Sequence, residues 1–372
     1  APAIRFQGFT DDWEQRELKE ILKVNSGRDY KHLGSGSIPV YGTGGYMLSV
    51  NDKLSDKDAI GIGRKGTIDK PQYLKAPFWT VDTLFFMIPL NNFDLQFLYT
   101  MTQKINWKKM DESTGVPSLS KAVIEKVNQN IPSYQEQIKI GGFFKQLDNT
   151  IALHQQKQRQ IRSLKQGFIK NLFPNNKNSA PRIRFSIFND DWNQRNASEI
   201  FTSVSDKNYP ELPVLSASQE KGMVLRESNG IDIKYDQKST GTYKRVLPGQ
   251  FVMHLRSFQG GFAYSTIEGI TSPAYTILAF RNKEDHYPLF WKSIFSSKNF
   301  IKRLEAITYG IRDGRSISYA DFSTLRFWIP SYEEQKQIGD FIESIDATIA
   351  FYQRQIDMMQ SLKKELLNKM FI

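Results

Sequence analysis

Apolar residues recur at alternating spacings of four and three over two long stretches of the chain. In one they fall at Ile338, Ile342, Ile345, Ile349, Tyr352, Ile356 and Met359, and the spacing runs on through Lys363, Leu366 and Met370. In the other they fall at Ile140, Phe144, Leu147, Ile151, His154, Gln158 and Ile161, then Lys165, Phe168 and Leu172. A seven-residue repeat held over four heptads is the pattern of a coiled-coil seam, so each stretch predicts a long helix. Pro132 and Pro330 bias the residue before each helix toward extended backbone. Ser133 and Ser331 are placed to cap, and Glu136 and Glu334 three residues on predict a capping box. Pro174 must end the first helix, and NNKNSAPR after it reads as a linker. Two such helices in one chain can pair antiparallel, seam against seam. About thirty residues of seam at 1.5 Å each give a rod of roughly 45 Å, which would hold whatever it joins at a fixed distance and about a two-fold axis. The polar seam residues His154, Gln158, Lys165 and Lys363 read as register-setting or snorkelling groups, with a functional role for His154 as the lesser alternative.

Elsewhere the periodicity is shorter. Strand-like runs stand at 38–42, 58–63 and 83–89, and Leu95 to Lys104 is apolar at helical spacing. A second set stands at 213–217, 249–257 and 274–280, followed by a helical stretch near 287–304. Each set predicts a small α/β or α+β body with a mixed sheet.

The framework around these bodies is duplicated. PAIRFQGFTDDWEQRELKEI (2–21) and PRIRFSIFNDDWNQRNASEI (181–200) are identical at twelve of twenty positions, including Asp11-Asp12-Trp13 against Asp190-Asp191-Trp192. Residues 131–173 and 329–371, which open IPSYQEQ and IPSYEEQ, share 18 of 43. The bodies between do not align, and the second is longer by 19 residues. The chain is therefore expected as a first body (1–130), a helix with linker (131–177), a second body (178–328) and a second helix (329–372). Two copies of one framework carrying different bodies fit two copies specialised for different ligands.

Composition narrows the chemistry. The 372 residues suit two or three domains, and 40% apolar with 13% aromatic residues excludes a disordered chain. The absence of cysteine excludes disulfides, thiolate zinc sites, iron–sulfur clusters and a cysteine nucleophile, and suits a reducing compartment. The opening APAIRFQGFTDDW lacks a signal-peptide pattern, and the best apolar run, Thr83 to Leu90, falls far short of the roughly 20 residues of a membrane span. A cytoplasmic location is expected. No P-loop, HExxH, NPPY, DPPY or FxGxG motif occurs, and His32, His154, His254 and His286 lack metal spacing. The acid-x-Lys fragments at Glu17-Leu18-Lys19 and Asp232-Ile233-Lys234 read as surface charge. The net charge of +11 suggests a polyanionic partner, although a merely soluble basic protein has the same balance. Over half of the excess lies on residues 135–177, at net +6, while 331–372 carry −2. That is a basic helix against a slightly acidic one, suited to DNA phosphate or to an acidic subunit surface.

Residues 61–66, GIGRKG, formally match GxGxxG, but TIDKP follows where a nucleotide-binding helix should open. They read instead as a glycine-rich turn carrying Arg64 and Lys65, with backbone amides exposed to a phosphate. Similar polar, glycine-rich loops are YGTGGY (41–46) with Tyr41, Thr43 and Gly45, RKGTIDK (64–70) with Lys70, KINWKK (104–109) and STGVPSLS (113–120). The second body has SASQEKG (216–222) with Lys221, RSFQGGF (256–262) and TYGIRDGRSIS (308–318). Their Arg, Lys, Asn, Gln, Ser and Thr side chains are of the kinds that read base edges, though any one loop alone is equally an ordinary surface turn.

IPSYQEQ and IPSYEEQ, each opening a long helix, resemble the P-x-x-E-Q helix starts of the specificity subunits of type I restriction–modification systems. The two IRF…DDW motifs, GRKG, and TG…S-L-S in the first body agree, and the resemblance spans essentially the whole chain. It implies a non-catalytic DNA-reading subunit in which each body is a target recognition domain for one half of a split site. The helix pair would be a spacer that docks two modification subunits through Ile140, Phe144, Leu147, Ile151 and Ile161 with Ile338, Ile342, Ile345, Ile349 and Ile356. By position the resemblance marks Arg64, Lys65, Gly66, Thr67, Thr114 and Ser118 as DNA contacts. By analogy it marks Arg256, Ser257, Gln259, Gly260, Arg312 and Arg315, although RSFQGG there replaces GRKG. No cofactor is expected in this chain: S-adenosylmethionine would belong to the modification subunits, and ATP with magnesium to restriction subunits of the larger assembly. Two other classes stay open, a coiled-coil scaffold that binds proteins only and a DNA-modifying enzyme with degenerate motifs.

Overall fold

The two periodic stretches fold as helices of 39 residues each, Tyr134–Leu172 and Tyr332–Met370, in the computed structural model of the chain. The structure describes residues 2–174, 179–218, 221–229, 237–308 and 317–372. Residues 175–178 of the expected linker and the Asp232-Ile233-Lys234 fragment lie outside them. Every seam position in both helices is buried or half-buried, whereas Ile138, Leu153 and Leu164, off the seam, are exposed. The chain divides into two units, residues 1–156 with 352–372, and residues 157–351, so each long helix gives one half to either unit.

In the first unit the helix halves run antiparallel. Phe144 meets Phe371, Lys363 Nζ reaches both Asp148 carboxylate oxygens at 2.6 and 2.8 Å, and His154 stands edge-on to Tyr352. The opening motif closes over them. Arg5 bonds Glu136 with both Nε and Nη2, at 2.7 and 2.8 Å, and donates from Nη2 to Asp11 O. This revises the expected capping box: the Glu136 carboxylate turns to a guanidinium, whose fork satisfies two oxygens where the helix N-terminus would offer one amide. Gln137 donates to Pro132 O and accepts from Asp94 N, the N-cap of Leu95–Lys104. Glu14–Glu17 pairs with Asn128–Ile131, and Trp13 packs against Phe97 and Phe371. One core joins helix, opening motif and body.

The second unit repeats the polar contacts of this framework. Arg184 bonds Glu334 and Asp190 O, Gln335 donates to Pro330 O and accepts from Tyr287 N, and Asn193–Asn196 pairs with Arg326–Ile329. Phe290 holds the place of Phe97, against Trp192 and Phe173. The helix halves are again antiparallel, with Lys165 on Asp346 and Phe168 on Phe341. Here too the carboxylate leaves the capping box, although Ser331 Oγ still accepts from Glu334 N at 3.4 Å.

The bodies, unalignable in sequence, share the order of one four-stranded sheet, while among the described residues the first adds a three-stranded sheet and the second two two-stranded ones. The first has a four-stranded antiparallel sheet in the order Leu22–Ser26, Leu84–Pro89, Ala59–Gly63, Gln72–Leu74. The second has Phe201–Val204, Thr276–Phe280, Phe251–Met253, Ala263–Tyr264 in the matching order. The expected mixed sheet occurs in the first body, where Ser35–Gly42 pairs antiparallel with Gly45–Val50 and parallel with Trp79–Thr80, while the pairings between named strands of the second body are all antiparallel among the described residues. The predicted run 249–257 is strand only at Phe251–Met253, and Ser257–Gly260 is a helical turn. The stretch near 287–304 is two helices, Pro288–Phe295 and Lys298–Ala306, broken at Ser296 and Ser297. Most of the extra length of the second body lies between its first two sheet strands in chain order, at 205–250 against 27–58.

Adjacent glycines in the first long helix predict opposite responses. A Cβ on Gly141 would come within 2.5 Å of Asp94 Oδ1 and 2.6 Å of Phe97 N, whereas one on Gly142 meets nothing within 4 Å. Gly141→Ala should destabilise the chain by about 1–3 kcal/mol through overpacking. Gly142→Ala should stabilise it by about 0.5–1 kcal/mol. Urea denaturation of the two variants reads the sign directly.

Candidate nucleic-acid interface

In the first unit three loops meet beyond one end of the four-stranded sheet. The strand Ala59–Gly63 ends in a turn so close that a Cβ on Gly63 would lie 2.0 Å from Thr67 O, and Gly66 has φ +97°. The amides of this turn are not exposed, contrary to the sequence expectation. Arg64 N and Lys65 N donate to Thr83 O at 2.8 and 3.3 Å, and Gly66 N donates to Pro117 O at 2.8 Å. The backbone is used up in shaping the turn, which leaves the exposed Arg64 and Lys65 side chains as its outward groups. Arg64 lies over Phe85, 5.8 Å from the ring centre, a contact that limits its motion.

The loop 111–118 is drawn to this turn by Leu119 N on Arg64 O and by a bridge between Lys65 and Ser118. Asp111, missed in the sequence reading, knots it: Oδ1 accepts from Ser113 N, Ser113 Oγ and Ser118 N at 3.0, 2.8 and 2.9 Å. The Ser118 and Ser113 amides, with the Ser113 hydroxyl, hold this carboxyl below its usual range. The signal was present as Asp111-Glu112-Ser113-Thr114-Gly115, a side-chain-capped turn composition. Thr114 is exposed at its tip and Ser118 is half-buried. The third loop is the hairpin between Ser35–Gly42 and Gly45–Val50, which brings Thr43 beside Gly66. Gln72 ties it down by donating to Gly42 O and Thr43 O. Tyr41 and Gly45 are half-buried, while Tyr46, 63% exposed, stands at the edge of a cavity of about 740 Å³ shared with residues 29–31 and 81–83. Lys70 is exposed beyond Asp69, which Lys108 engages at 2.9 Å. KINWKK does not act as one loop, since Trp107 is buried and Lys104 donates to Phe371 O.

In the second unit the segment after Phe251–Met253, the strand corresponding to Ala59–Gly63, is the turn that carries RSFQGG. Arg256 and Gln259 are exposed on it and Gly260 is half-buried. Ser257 is turned inward, 1% exposed, and its hydroxyl accepts from His254 N. His254 accepts from Arg256 N, and burial together with the Arg256 charge pushes its pKa down to about 4. Lys221 is exposed on the hairpin Leu215–Ser218/Gly222–Leu225, whose Gly222 abuts Tyr264 O. Arg312 and Arg315 lie outside the described residues. No cluster of three or more His, Asp or Glu side chains suited to a metal occurs among the described residues. None of their helices is long and apolar enough to cross a membrane.

The pattern of the family described as the type I restriction modification DNA specificity domain matches residues 10–163. The type I restriction enzyme MjaVIII specificity subunit of Methanocaldococcus jannaschii is 22% identical over 298 residues, 74% of this chain and 68% of that protein. In fold, the crystal structure of the S subunit of a type I restriction–modification system from M. genitalium superposes with a TM-score of 0.67 at 14% identity, covering 100% of this chain and 99% of that one. A structure from work on complex assembly and conformational transition of the type I system superposes at 0.52 and 14% identity, covering 97% and 98%.

Asp111 makes the order of its loop testable. Asp111→Ala should speed hydrogen exchange at Ser113 and Ser118 by at least about tenfold, because charge-assisted bonds to both amides are lost. Exchange at Gly66, whose acceptor is in the same loop, should rise with them, while Ile60 and Met87 in the sheet stay unchanged.

Proposed function

We propose that this chain, whose residues 10–163 match the type I restriction modification DNA specificity domain, reads both halves of a split DNA site as the recognition subunit of a type I restriction–modification complex. The observation that carries this reading is the doubled framework. One set of contacts and one sheet order occur twice, while the loop after the corresponding sheet strand is GRKG in one body and RSFQGG in the other. Catalytic duplication would keep side chains alike; reading two different half-sites needs them to differ.

Within each body the outward cations and short polar side chains suit the major groove, where Arg and Lys pair with guanine, Gln and Asn with adenine, and Thr with several edges. Arg64, Lys65, Thr114 and Tyr46 would face DNA in the first recognition domain, with Arg256, Gln259 and Lys221 in the second. Thr43, Gly66, Ser118 and Ser257 shape the loops that present them. The bodies 1–130 and 178–328 serve as the two readers, and the long helices set the distance between half-sites and dock modification subunits. Half-sites read from one side of a duplex lie about 34 Å apart or a multiple of it, within the span of helices that extend roughly 58 Å at 1.5 Å per residue. Methyl transfer with S-adenosylmethionine, and ATP-driven cleavage, belong in this reading to partner subunits.

Methylome sequencing of cells expressing the chain with its modification partner should return a bipartite, asymmetric motif. A palindromic or contiguous motif would refute the assignment of one body to each half. The helices supply a second test. Removing residues 153–159 together with 351–357 takes one heptad from each helix and keeps the Lys165–Asp346 and Lys363–Asp148 pairs. At 1.5 Å per residue the loss is about 10 Å, so the unspecified spacer should shorten by roughly three base pairs with both half-sites unchanged.

A further inference from the structure

The two units also differ where the body meets the far end of a long helix. In the first, Lys363 Nζ donates to Gln103 Oε1 at 2.9 Å and Lys104 Nζ donates to Phe371 O at 2.6 Å, tying the end of Leu95–Lys104 to the long helix. The corresponding positions in the second unit are Ser296 and Ser297, counted from the matched amides of Asp94 and Tyr287 that bind the two glutamines. Both serines are too short to reach across, and their hydroxyls bond locally to Ser293 O and Phe300 N. A groove of about 900 Å³ opens there, between residues 162–174, Ser296 to Arg303 and Arg326–Trp328.

Its composition is two-sided. The half-buried Ile169, Phe173 and Trp328 supply apolar surface, backed by Phe300 and Phe327, which are buried beneath it. Arg162, Lys170, Lys298, Lys302 and Arg326 stand exposed around it, with no ion-pair partner among the described residues. Among the described residues the sole acid lining the groove, Asp346, is engaged by Lys165. DNA phosphate would satisfy the cations but leave most of the apolar surface wet, since a duplex backbone offers only the narrow edges of its sugars to cover it. An acidic amphipathic segment satisfies both, laying its apolar face on the floor and its carboxylates on the rim.

We propose that this groove docks an acidic, apolar-anchored segment of a partner protein, one per chain, because the first unit closes its own counterpart. The inference is independent of base reading, which the methylome measures separately. The probe is a fluorescent peptide of about fourteen residues with leucines at i, i+3, i+4 and i+7 and glutamates elsewhere, titrated into the intact chain. One peptide should bind per chain, more weakly as salt rises, and its lysine counterpart should not. Lys298→Glu with Lys302→Glu should weaken binding at least tenfold, and Ser296→Gln with Ser297→Lys, which restores the closing side chains, should do the same without removing charge. Arg354→Glu, an exposed change elsewhere on the second long helix, should leave it unaltered. Equal binding of the two peptides, or binding indifferent to both double substitutions, overturns the proposal. So does displacement of the peptide by a short DNA duplex whose own affinity falls with Lys298→Glu and Lys302→Glu, which would make the groove a phosphate path.

Discussion

A carboxylate with no exposed surface is costly unless a cation and further hydrogen bonds meet it, and two such carboxylates, Glu136 and Glu334, organise this chain. Each sits in the first turn of a long helix and is held by the fork of an arginine about 130 to 150 residues earlier, Arg5 or Arg184. The same arginine bonds the carbonyl of Asp11 or Asp190, just before the tryptophan that enters the core. Helix start, opening motif and core are thus fixed together by one buried pair. The next residue, Gln137 or Gln335, binds the N-terminus of the helix that follows the sheet. The two stretches of repeated sequence are the two sides of one interface, which is why both persisted while the bodies between them diverged.

That division explains how one framework can carry different loops. The opening motif, the start of each long helix and the helix after each sheet are joined by the Arg5–Glu136 and Arg184–Glu334 pairs and by Gln137 and Gln335, none of which lies in the turn after Ala59–Gly63 or Phe251–Met253. Within the turns the backbone is satisfied internally, by Thr83 O and Pro117 O in the first unit. The exposed Arg64 and Lys65 side chains can therefore change without leaving a buried donor unpaired, whereas Ser257 in the second turn cannot, because its hydroxyl accepts from His254 N.

What could be read in the sequence follows from locality. The seam, the strands at 38–42 and 83–89 and the helix from Leu95 to Lys104 are periodic within themselves and appear where the pattern put them. The shared sheet order could not be seen, because it rests on pairings between strands dozens of residues apart whose side chains need only be apolar. Glu136 and Glu334 were misread for a related reason: a capping box is a local pattern, and a distant arginine outcompetes it. At the interface, the glycines marked the tight turn, but sequence could not say that its amides were already spoken for. Asp111 was legible in principle as a turn residue and was passed over because its ligands are backbone groups, which no motif records.

Charge shows the limit of composition most clearly. The excess on residues 135–177 could have faced DNA or protein, and the structure splits it into unlike fates. Lys165 pairs with Asp346 on the opposing helix, and Lys139 lies over Phe9, 5.2 Å from the ring centre. Arg162 and Lys170 instead border the groove beside aromatic surface. Cations of one helix thus lock a helix pair, cover a ring and rim a cleft. The sign of a segment's charge therefore says less about its ligand than what lies within a few ångströms of each ammonium or guanidinium. An apolar floor beneath unpaired cations selects a ligand that is itself half apolar, which a polyanion is not.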